Sequence, residues 1–234
     1  MIFAAGLGTR FKPWTDHHPK ALALVNGKTL LERNLLYLQQ YGIYDVVVNV
    51  HHFADQVISY LKEHNNFGSR VIISDETDML LETGGGMLKA KQWLSDAPFL
   101  TVNADFLTNL NLHHFVQFHE QHQSLATIAV TQRKASRSFL FDDNDRLCGW
   151  QNNNTGERRI SIEVDHYIPK SFSCIAAYQP EIFEKMVHTG KFSIVDTLLD
   201  VAKNNPLYGF DHTGDVTIDV GKPESVAEAE KFFP

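Results

Sequence analysis

The sequence lacks features that mark several other classes of protein. Its 234 residues include only two cysteines, Cys148 and Cys174, which have neither metal-ligand spacing nor the number needed for a disulfide framework. No apolar run approaches the roughly 20 residues that span a bilayer. The amino-terminal stretch has no charged region, and its apolar part is too short for a signal peptide. We therefore expect a cytoplasmic protein with no membrane partner.

An excess of positive charge is also absent. Lysine and arginine number 21 against 28 aspartate and glutamate residues, which gives a net charge of −7 with histidine neutral. Such a chain does not present a general surface for nucleic acid. Any phosphate that it binds must be held at a local site.

What is present is an alternation of strand and helix patterns. Thr29 and Glu32 have the spacing of a capping box, at the start of a helix that Gly42 stops. The apolar runs that predict strands lie at 3–5, 45–50, 71–74, 98–102 and 126–131. The alternation predicts an α/β fold: a Rossmann-like, mostly parallel sheet with helices on both faces.

The pattern changes between about 132 and 176. Short apolar runs there are separated by polar turn clusters at 142–145 and 152–156, which predicts antiparallel β-hairpins. We expect this hairpin insertion to lie over one end of the main sheet as a lid. Helices follow at about 180–188 and 194–204, then a strand at 216–220 and a last helix from Pro223. The prediction is one domain, 1–234, made of a core (1–131), a hairpin lid (132–176) and a closing segment (177–234).

A glycine turn directly after the first strand is the clearest candidate site. Gly6 and Gly8 allow the backbone to approach a ligand closely, and Arg10 and Lys20 suit phosphate oxygens. The dinucleotide fingerprint is incomplete, since Phe11 occupies its third glycine position, and the P-loop pattern is absent. The residues favour a phosphate site over a simple structural turn, and they argue against a Rossmann oxidoreductase.

Four motifs, in order, resemble the sugar-nucleotide pyrophosphorylases, the nucleoside-diphosphate-sugar nucleotidyltransferases. The resemblance covers most of the chain, is weakest in the hairpin region and implies a GT-A-like fold. The matching segments are AAGLGTR at 4–10 with Pro19-Lys20, LETGGG at 81–86, VNAD at 102–105 and IDVG at 218–221. Two of these motifs depart from the family pattern, because Ala104 replaces a glycine and Lys222 replaces the threonine that follows IDVG in the family. In the region behind the first motif, Thr29 replaces a proline.

The resemblance implies a reaction and a set of roles. In the family, a sugar 1-phosphate oxygen attacks the α-phosphorus of a nucleoside triphosphate with Mg²⁺ present, and pyrophosphate leaves. By this resemblance Arg10 binds the β- and γ-phosphates and Lys20 neutralises charge on the α-phosphate. Asp105 and Asp219, each at the end of a predicted strand, hold the metal. We expect repulsion between these carboxylates without metal, so that Asp105→Asn or Asp219→Asn slightly raises the melting temperature of the apo protein.

The resemblance also implies the nucleotide and sugar contacts. Cys174 stands where the family has a glycine, and we expect it beside the sugar and not to act as a nucleophile. The nucleotide contacts are the backbone of Ala5, Gly6, Gly8 and Thr9 on one side, and Glu82 with the Gly84 and Gly85 backbone at the base edge. The candidates for the sugar phosphate are Lys170 and Asn49.

Within the family, the LETGGG loop and the short chain look most like the N-acetylmuramic acid 1-phosphate uridylyltransferases. This implies UTP and an amino-sugar 1-phosphate as substrates, for a cell-wall or polysaccharide precursor, in a monomer or homodimer. Mannose 1-phosphate or heptose 1-phosphate guanylyltransferase is the alternative. A non-catalytic nucleotide-binding regulatory subunit stays open as a different class, although such a subunit need not keep both metal carboxylates.

Overall fold

The computed structural model describes all residues, 1–234. None of its helices combines the length and the apolar character needed to cross a membrane. The strands are β1 (Ile2–Phe3), β2 (Leu24–Val25), β3 (Lys28–Thr29), β4 (Asp45–Val50), β5 (Arg70–Asp75), β6 (Phe99–Asn103), β7 (Phe106–Thr108), β8 (Ala126–Thr131), β9 (Arg137–Phe141), β10 (Leu147–Asn152), β11 (Arg158–Ile160), β12 (Ile168–Tyr178), β13 (Tyr208–Asp211) and β14 (Thr217–Asp219). The helices are α1 (Leu30–Gln39), α2 (Ala54–Glu63), α3 (Glu82–Lys89), α4 (Lys91–Leu94), α5 (Leu112–Gln121), α6 (Ile182–Lys185), α7 (Ile194–Ala202) and α8 (Glu224–Phe232).

One ten-stranded sheet organises the molecule. Its main path runs β11-β10-β9-β12-β6-β1-β4-β5, and β8 joins it beside β12 with β13 on its outer side. The strands β6, β1, β4 and β5 are parallel neighbours, as are β8 and β13. Helices cover both faces, and the predicted α/β fold with a mostly parallel central sheet is confirmed.

Burial on both faces explains the apolar runs of the central strands. Along β4, Val46 and Val48 pack into one cluster of 20 buried residues, while Val47 packs into a second cluster of 20 on the opposite face. Alternate side chains of a strand point to opposite faces, so a strand between two helical layers is apolar at most positions and not only at every second one. This packing holds the carboxyl ends of β1, β4 and β6 in fixed positions at one edge.

The predicted antiparallel hairpins are present between residues 137 and 160, and their strands join the main sheet through β12. Strands β9, β10 and β11 continue the sheet edgewise, because β9 pairs with the first residues of β12 while the last residues of β12 pair with β6. The register of β12 against β8 shifts between Phe172 and Ala176, and Cys174 within it has a left-handed φ of 57°. A bulge of this kind bends and twists a strand, which lets one long strand serve both parts of the sheet.

Side-chain caps begin several helices. The Thr29 hydroxyl accepts a hydrogen bond from the Glu32 N–H at 3.1 Å, but the Glu32 carboxylate accepts from Tyr60, so only half of the predicted capping box forms. A complete box starts α7, where Ser193 and Asp196 satisfy each other's backbone N–H groups. The predicted helix at 180–188 is shorter than expected and comprises only α6.

A third, smaller core joins the glycine turn to the last strand. It contains Phe11 from the turn, Leu107 from β7, and Ile218 and Val220 from β14 and its end. Strands β7 and β14 form a separate two-stranded antiparallel sheet in which Phe106 lies opposite Asp219. This core therefore brings the segments carrying Arg10, Asp105 and Asp219 together.

Candidate active site

A cavity of about 290 Å³ opens where β1, β4 and β6 end. This is the edge at which α/β sheets place their ligands. Its lining residues are Phe3, Ala4, Ala5, Gly6, Lys20, Ala21, Asn49, Leu80, Glu82, Thr83, Asn103, Ala104 and Asp105. Three of the four motifs found in the sequence thus contribute to one cavity.

Lys20 and Asp105 form an ion pair in this cavity. The Lys20 residue is only 8% exposed, and its ammonium contacts the Asp105 carboxylate. Gly8 has a φ of 61°, and a Cβ there would lie 3.0 Å from the Lys20 Cβ and 2.9 Å from the Thr15 Cγ2. A glycine is therefore needed at position 8, because the turn folds back against the stem of Lys20.

Arg10 and Asp219 form a second, looser pair next to the cavity. The Arg10 Nη2 lies 3.8 Å from the Asp219 Oδ2, and the two side chains are 59% and 42% exposed. A Cβ at Gly221 would lie 2.7 Å from the Arg10 Nη2 and 2.5 Å from the Asp219 Oδ1, so the glycine leaves room for both groups. Thr9 precedes Arg10 in a short 3₁₀ helix and is exposed outside the cavity lining.

Asp105 and Asp219 lie close to each other. The Val220 N–H donates to the Asp105 carbonyl oxygen at 2.9 Å, which joins the two segments directly after their strands. Burial raises the pKa of the Cys174 thiol, and the charges of Asp105 and Asp219 raise it further. The raised pKa of Cys174 argues against a nucleophilic thiolate.

The donor set at this point suits Mg²⁺. No group of three or more histidine, cysteine, aspartate or glutamate side chains is arranged to hold a metal. Asp105 lines the cavity, and the half-exposed Asp219 carboxylate lies next to it. Two carboxylates match a hard ion that takes one or two protein oxygens and completes its shell with phosphate and water. Asp105 and Asp219 are the residues that would hold it.

The cationic partners reverse one expectation from the sequence. Repulsion between unpaired carboxylates was expected to destabilise the apo protein, but Asp105 is paired with Lys20 and Asp219 with Arg10. Replacing Asp105 would leave a buried ammonium without its partner, and an unpaired buried charge is destabilising. The apo melting temperature of Asp105→Asn should therefore fall and not rise.

The glycines of the LETGGG segment have a contact different from the predicted one. The N–H groups of Gly84 and Gly85 both donate to the Phe192 carbonyl oxygen, at 3.0 and 3.2 Å, and neither residue lines the cavity. A Cβ at Gly84 would overlap the Phe192 ring, and one at Gly85 would overlap the Gly190 carbonyl oxygen. In this structure the two glycines allow α3 to pack against 190–193, and this part of the chain contributes Leu80, Glu82 and Thr83 to the cavity wall.

We expect Gly84→Ala to lower the free energy of unfolding by about 1–3 kcal/mol, the usual cost of overpacking a filled site. Gly6→Ala is the matched control, because a Cβ at Gly6 would have no atom within 4 Å. Urea denaturation of the two variants measures the difference. Equal stabilities would show that the segment 190–193 moves freely away from α3.

The two candidates for the sugar phosphate have other partners. Lys170 is 6% exposed, and its ammonium lies 2.6 Å from Asp145 and 2.9 Å from Asp211, outside the cavity lining. The hydrogen bonds to both aspartates raise its pKa against the opposing effect of burial. Asn49 lines the cavity but is 2% exposed, with its amide bound to Ala4 and Glu76. In this structure both side chains are engaged by other residues, and only Asn49 lines the cavity.

Sequence reasoning missed two parts of the site. Leu80 lines the cavity directly before the LETGGG motif and belongs to no motif itself. Glu76 is wholly buried beneath it, although an acid directly after an apolar strand was a visible signal.

Curated relatives of this chain are sugar 1-phosphate nucleotidyltransferases by name. An N-acetylmuramate alpha-1-phosphate uridylyltransferase of Caulobacter vibrioides is 44% identical over 107 residues, which is 45% of this chain and 44% of that protein. An enzyme of the same name from Neisseria meningitidis serogroup B is 28% identical over 230 residues, 98% of this chain and 96% of that protein. A mannose-1-phosphate guanylyltransferase catalytic subunit beta of Drosophila pseudoobscura pseudoobscura is 27% identical over 96% of this chain and 59% of that protein. The match thus spans about half the length of the first and third relatives and nearly all of the second.

A solved structure and a family sequence model also match this chain. A solved structure described as a putative glucose-1-phosphate thymidylyltransferase from Bacillus anthracis superposes with a TM-score of 0.82 over 98% of this chain and 92% of that chain, at 15% identity. The sequence model of the family described as nucleotidyl transferase matches residues 1–140. That stretch is more than half of the chain and carries Arg10, Lys20 and Asp105, and this chain belongs to the nucleotidyl transferase family.

Proposed function

We propose that this protein transfers a nucleotidyl group from a nucleoside triphosphate to a sugar 1-phosphate. A bond forms between a sugar-phosphate oxygen and the α-phosphorus, the bond from that phosphorus to the bridging oxygen breaks, and pyrophosphate leaves with its electron pair. The observation that carries this proposal is the arrangement of Lys20, Asp105 and the Ala5–Gly6 backbone around one cavity. The Arg10–Asp219 pair lies beside it.

Lys20 and Arg10 would bind different phosphates of the triphosphate. Lys20 is buried and fixed, so its ammonium suits the α-phosphate, where negative charge is concentrated during attack. Arg10 is exposed and its guanidinium can turn, so it suits the departing β- and γ-phosphates. Both cations would exchange their present carboxylate partners for phosphate oxygens.

Mg²⁺ is the proposed cofactor. Asp105 and Asp219 would hold it, and when bound it would neutralise negative charge on the phosphate oxygens. An incoming triphosphate would take Lys20 and Arg10 away from Asp105 and Asp219, and Mg²⁺ would then balance the charge of these two carboxylates.

UTP is the proposed nucleotide and N-acetylmuramic acid 1-phosphate the proposed acceptor. Support comes from the names of the Caulobacter and Neisseria relatives, the second of which aligns along nearly the whole chain. The guanylyltransferase relative keeps GTP with mannose 1-phosphate as the second candidate. Nucleoside triphosphates and sugar 1-phosphates as substrates are consistent with action in the cytoplasm.

A panel of the four nucleoside triphosphates against several sugar 1-phosphates tests the proposal. Pyrophosphate release should require both substrates, and UTP with N-acetylmuramic acid 1-phosphate should be the best pair. A clear preference for GTP would move the protein to the mannose or heptose guanylyl branch. Nucleotide binding without turnover on any sugar 1-phosphate would indicate a regulatory subunit.

A further inference from the structure

A buried polar chain connects the two walls of the cavity. The Ala4 N–H donates to the Asn49 Oδ1 at 2.7 Å, and the Asn49 Nδ2 donates to the Glu76 Oε1 at 2.7 Å. The Leu81 N–H donates to the Glu76 Oε2 at 3.2 Å. We call the lining residues Ala4, Ala5 and Gly6 the glycine-turn wall, and Leu80, Glu82 and Thr83 the base-side wall. Ala4 belongs to the first wall, and Leu81 lies between Leu80 and Glu82 of the second. The two walls are therefore tied together through Asn49 and Glu76.

Glu76 is an unusual residue for this position. It is 0% exposed, and no lysine or arginine is paired with it. Burial raises the pKa of its carboxyl, and the hydrogen bonds from Asn49 and Leu81, with the charges of Lys89 and His51, oppose that rise. A buried carboxylate without an ion-pair partner costs free energy, so an apolar residue would serve better if only packing mattered.

The direction of the hydrogen bonds explains why a carboxylate is there. The Ala4 N–H can only donate, so Asn49 must turn its oxygen towards Ala4 and its NH₂ group towards Glu76. The Leu81 N–H also only donates. Two donors thus converge on residue 76 from opposite sides, and only a group with two acceptor oxygens satisfies both.

The surrounding backbone makes space for this carboxylate and depends on it. A Cβ at Gly86 would lie 2.6 Å from the Glu76 Oε1 and 3.0 Å from the Asn49 Nδ2, so the glycine leaves room for the contact. Glu82 directly follows Leu81 and has a left-handed φ of 61°, a conformation that is costly without support. The hydrogen bond to Leu81 holds the chain just before this strained residue.

We infer that Glu76, acting through Asn49 and the Leu81 N–H, is a positioning residue that sets the spacing between the two walls of the nucleotide cavity. This inference rests on the proposed function, because it takes the ligand between the walls to be a nucleoside triphosphate. Glu76 does not line the cavity itself. Because it sets the spacing of the walls that hold the nucleotide, its replacement should change the affinity for the nucleotide.

The test exchanges the amide and the carboxylate. In Glu76→Gln, the new NH₂ group faces either Asn49 or Leu81, donor against donor, and the dissociation constant for UTP should rise about tenfold, the usual effect of one lost buried hydrogen bond. Asn49→Asp alone places two carboxylates against each other and should weaken binding at least as much. When Asn49→Asp and Glu76→Gln are combined, the carboxylate now at position 49 accepts from Ala4 and from the new amide, whose oxygen accepts from Leu81. The affinity of this double variant should return to within about threefold of wild type, a non-additivity expected of coupled neighbours.

Isothermal titration calorimetry with Mg²⁺, and without sugar 1-phosphate, measures the dissociation constant. UTP and GTP are both titrated into the wild type, and the nucleotide that binds more tightly is used for the variants. Thr127→Val is the control: Thr127 is 0% exposed and bonded to His119 at 2.9 Å, away from the cavity, so it should lower stability without changing nucleotide affinity. If Glu76→Gln does not fold, Gly86→Ala displaces the same carboxylate and should also weaken binding.

Two results would overturn the inference: unchanged UTP affinity in folded Glu76→Gln or Gly86→Ala, or a double variant no better than the single ones. Because binding is measured without turnover, a wild type that binds nucleotide but makes no nucleotide sugar removes the proposed function alone. A wild type that binds neither UTP nor GTP removes both.

Discussion

Lys20→Met should lower the rate of nucleotidyl transfer about a hundred- to a thousand-fold. One preorganised contact to charge that develops in a transition state is typically worth about 2.7–4 kcal/mol. Lys20 suits this role because it is 8% exposed and its stem is held by the turn at Gly8, so only its ammonium has to move from Asp105 to the phosphate. Methionine keeps the length and the apolar stem while removing the charge.

The matched control for this prediction is Lys12→Met. Lys12 lies in the same loop, with its side chain 59% exposed and its Nζ 2.8 Å from Asp16, outside the cavity lining. Its replacement should leave the rate within about twofold, since exposed ion pairs contribute little. Arg10→Ala should reduce turnover in the same direction as Lys20→Met. If the Lys20 and Arg10 variants both keep near-normal rates, the glycine turn has only a structural role.

Asp105→Asn should remove most activity and most of the Mg²⁺ dependence of nucleotide binding. The variant keeps the shape of the side chain but loses the charge that would hold the ion, and EDTA should abolish turnover of the wild type. The same change should lower the apo melting temperature, because it removes the partner of the buried Lys20 ammonium. Thermal denaturation with and without Mg²⁺ and UTP, together with rates of pyrophosphate release, measures both effects.

Asp219→Asn separates the catalytic effect from the structural one. Its pairing with Arg10 is long and exposed, so the apo melting temperature should barely change while activity is lost. Asp16→Asn, in an exposed pair with Lys12, should change neither. Full activity in a chelator-treated sample, or normal rates in both Asp105→Asn and Asp219→Asn, would contradict the metal assignment.

Local patterns in the sequence were enough to predict most of the core. The central strands are apolar at successive positions because both faces are covered, and that pattern is visible without knowing any partner. The same holds for the glycine turn, where Gly8, Arg10 and Lys20 all lie in one segment between positions 8 and 20. Asp105 and Asp219 were found as strand-end residues in motifs, and the carboxyl edge of a sheet is a predictable location.

Contacts between residues far apart in the chain required the tertiary structure. Lys170 is paired with Asp145 and Asp211, which lie far from it on either side in the sequence, and no local pattern distinguishes such a lysine from one that reaches a phosphate. The pairing of the hairpin strands with the sheet also depends on distant residues. Before the bulge at Cys174, β12 pairs with β9, and after the bulge it pairs with β6.

The glycines separate what the sequence determined from what the tertiary structure determined. The sequence alone determined that a Gly-x-Gly turn with cations follows the first strand, because turn chemistry depends on neighbouring residues. Only the tertiary structure decided that Gly84 and Gly85 pack against 190–193 and that Gly86 makes room for Glu76. At Gly84 and Gly85 a side chain is excluded by the distant segment 190–193, and at Gly86 it is excluded by the buried hydrogen bond between Asn49 and Glu76. Local sequence encodes backbone preference, whereas close packing and the pairing of buried charges are properties of the assembled fold.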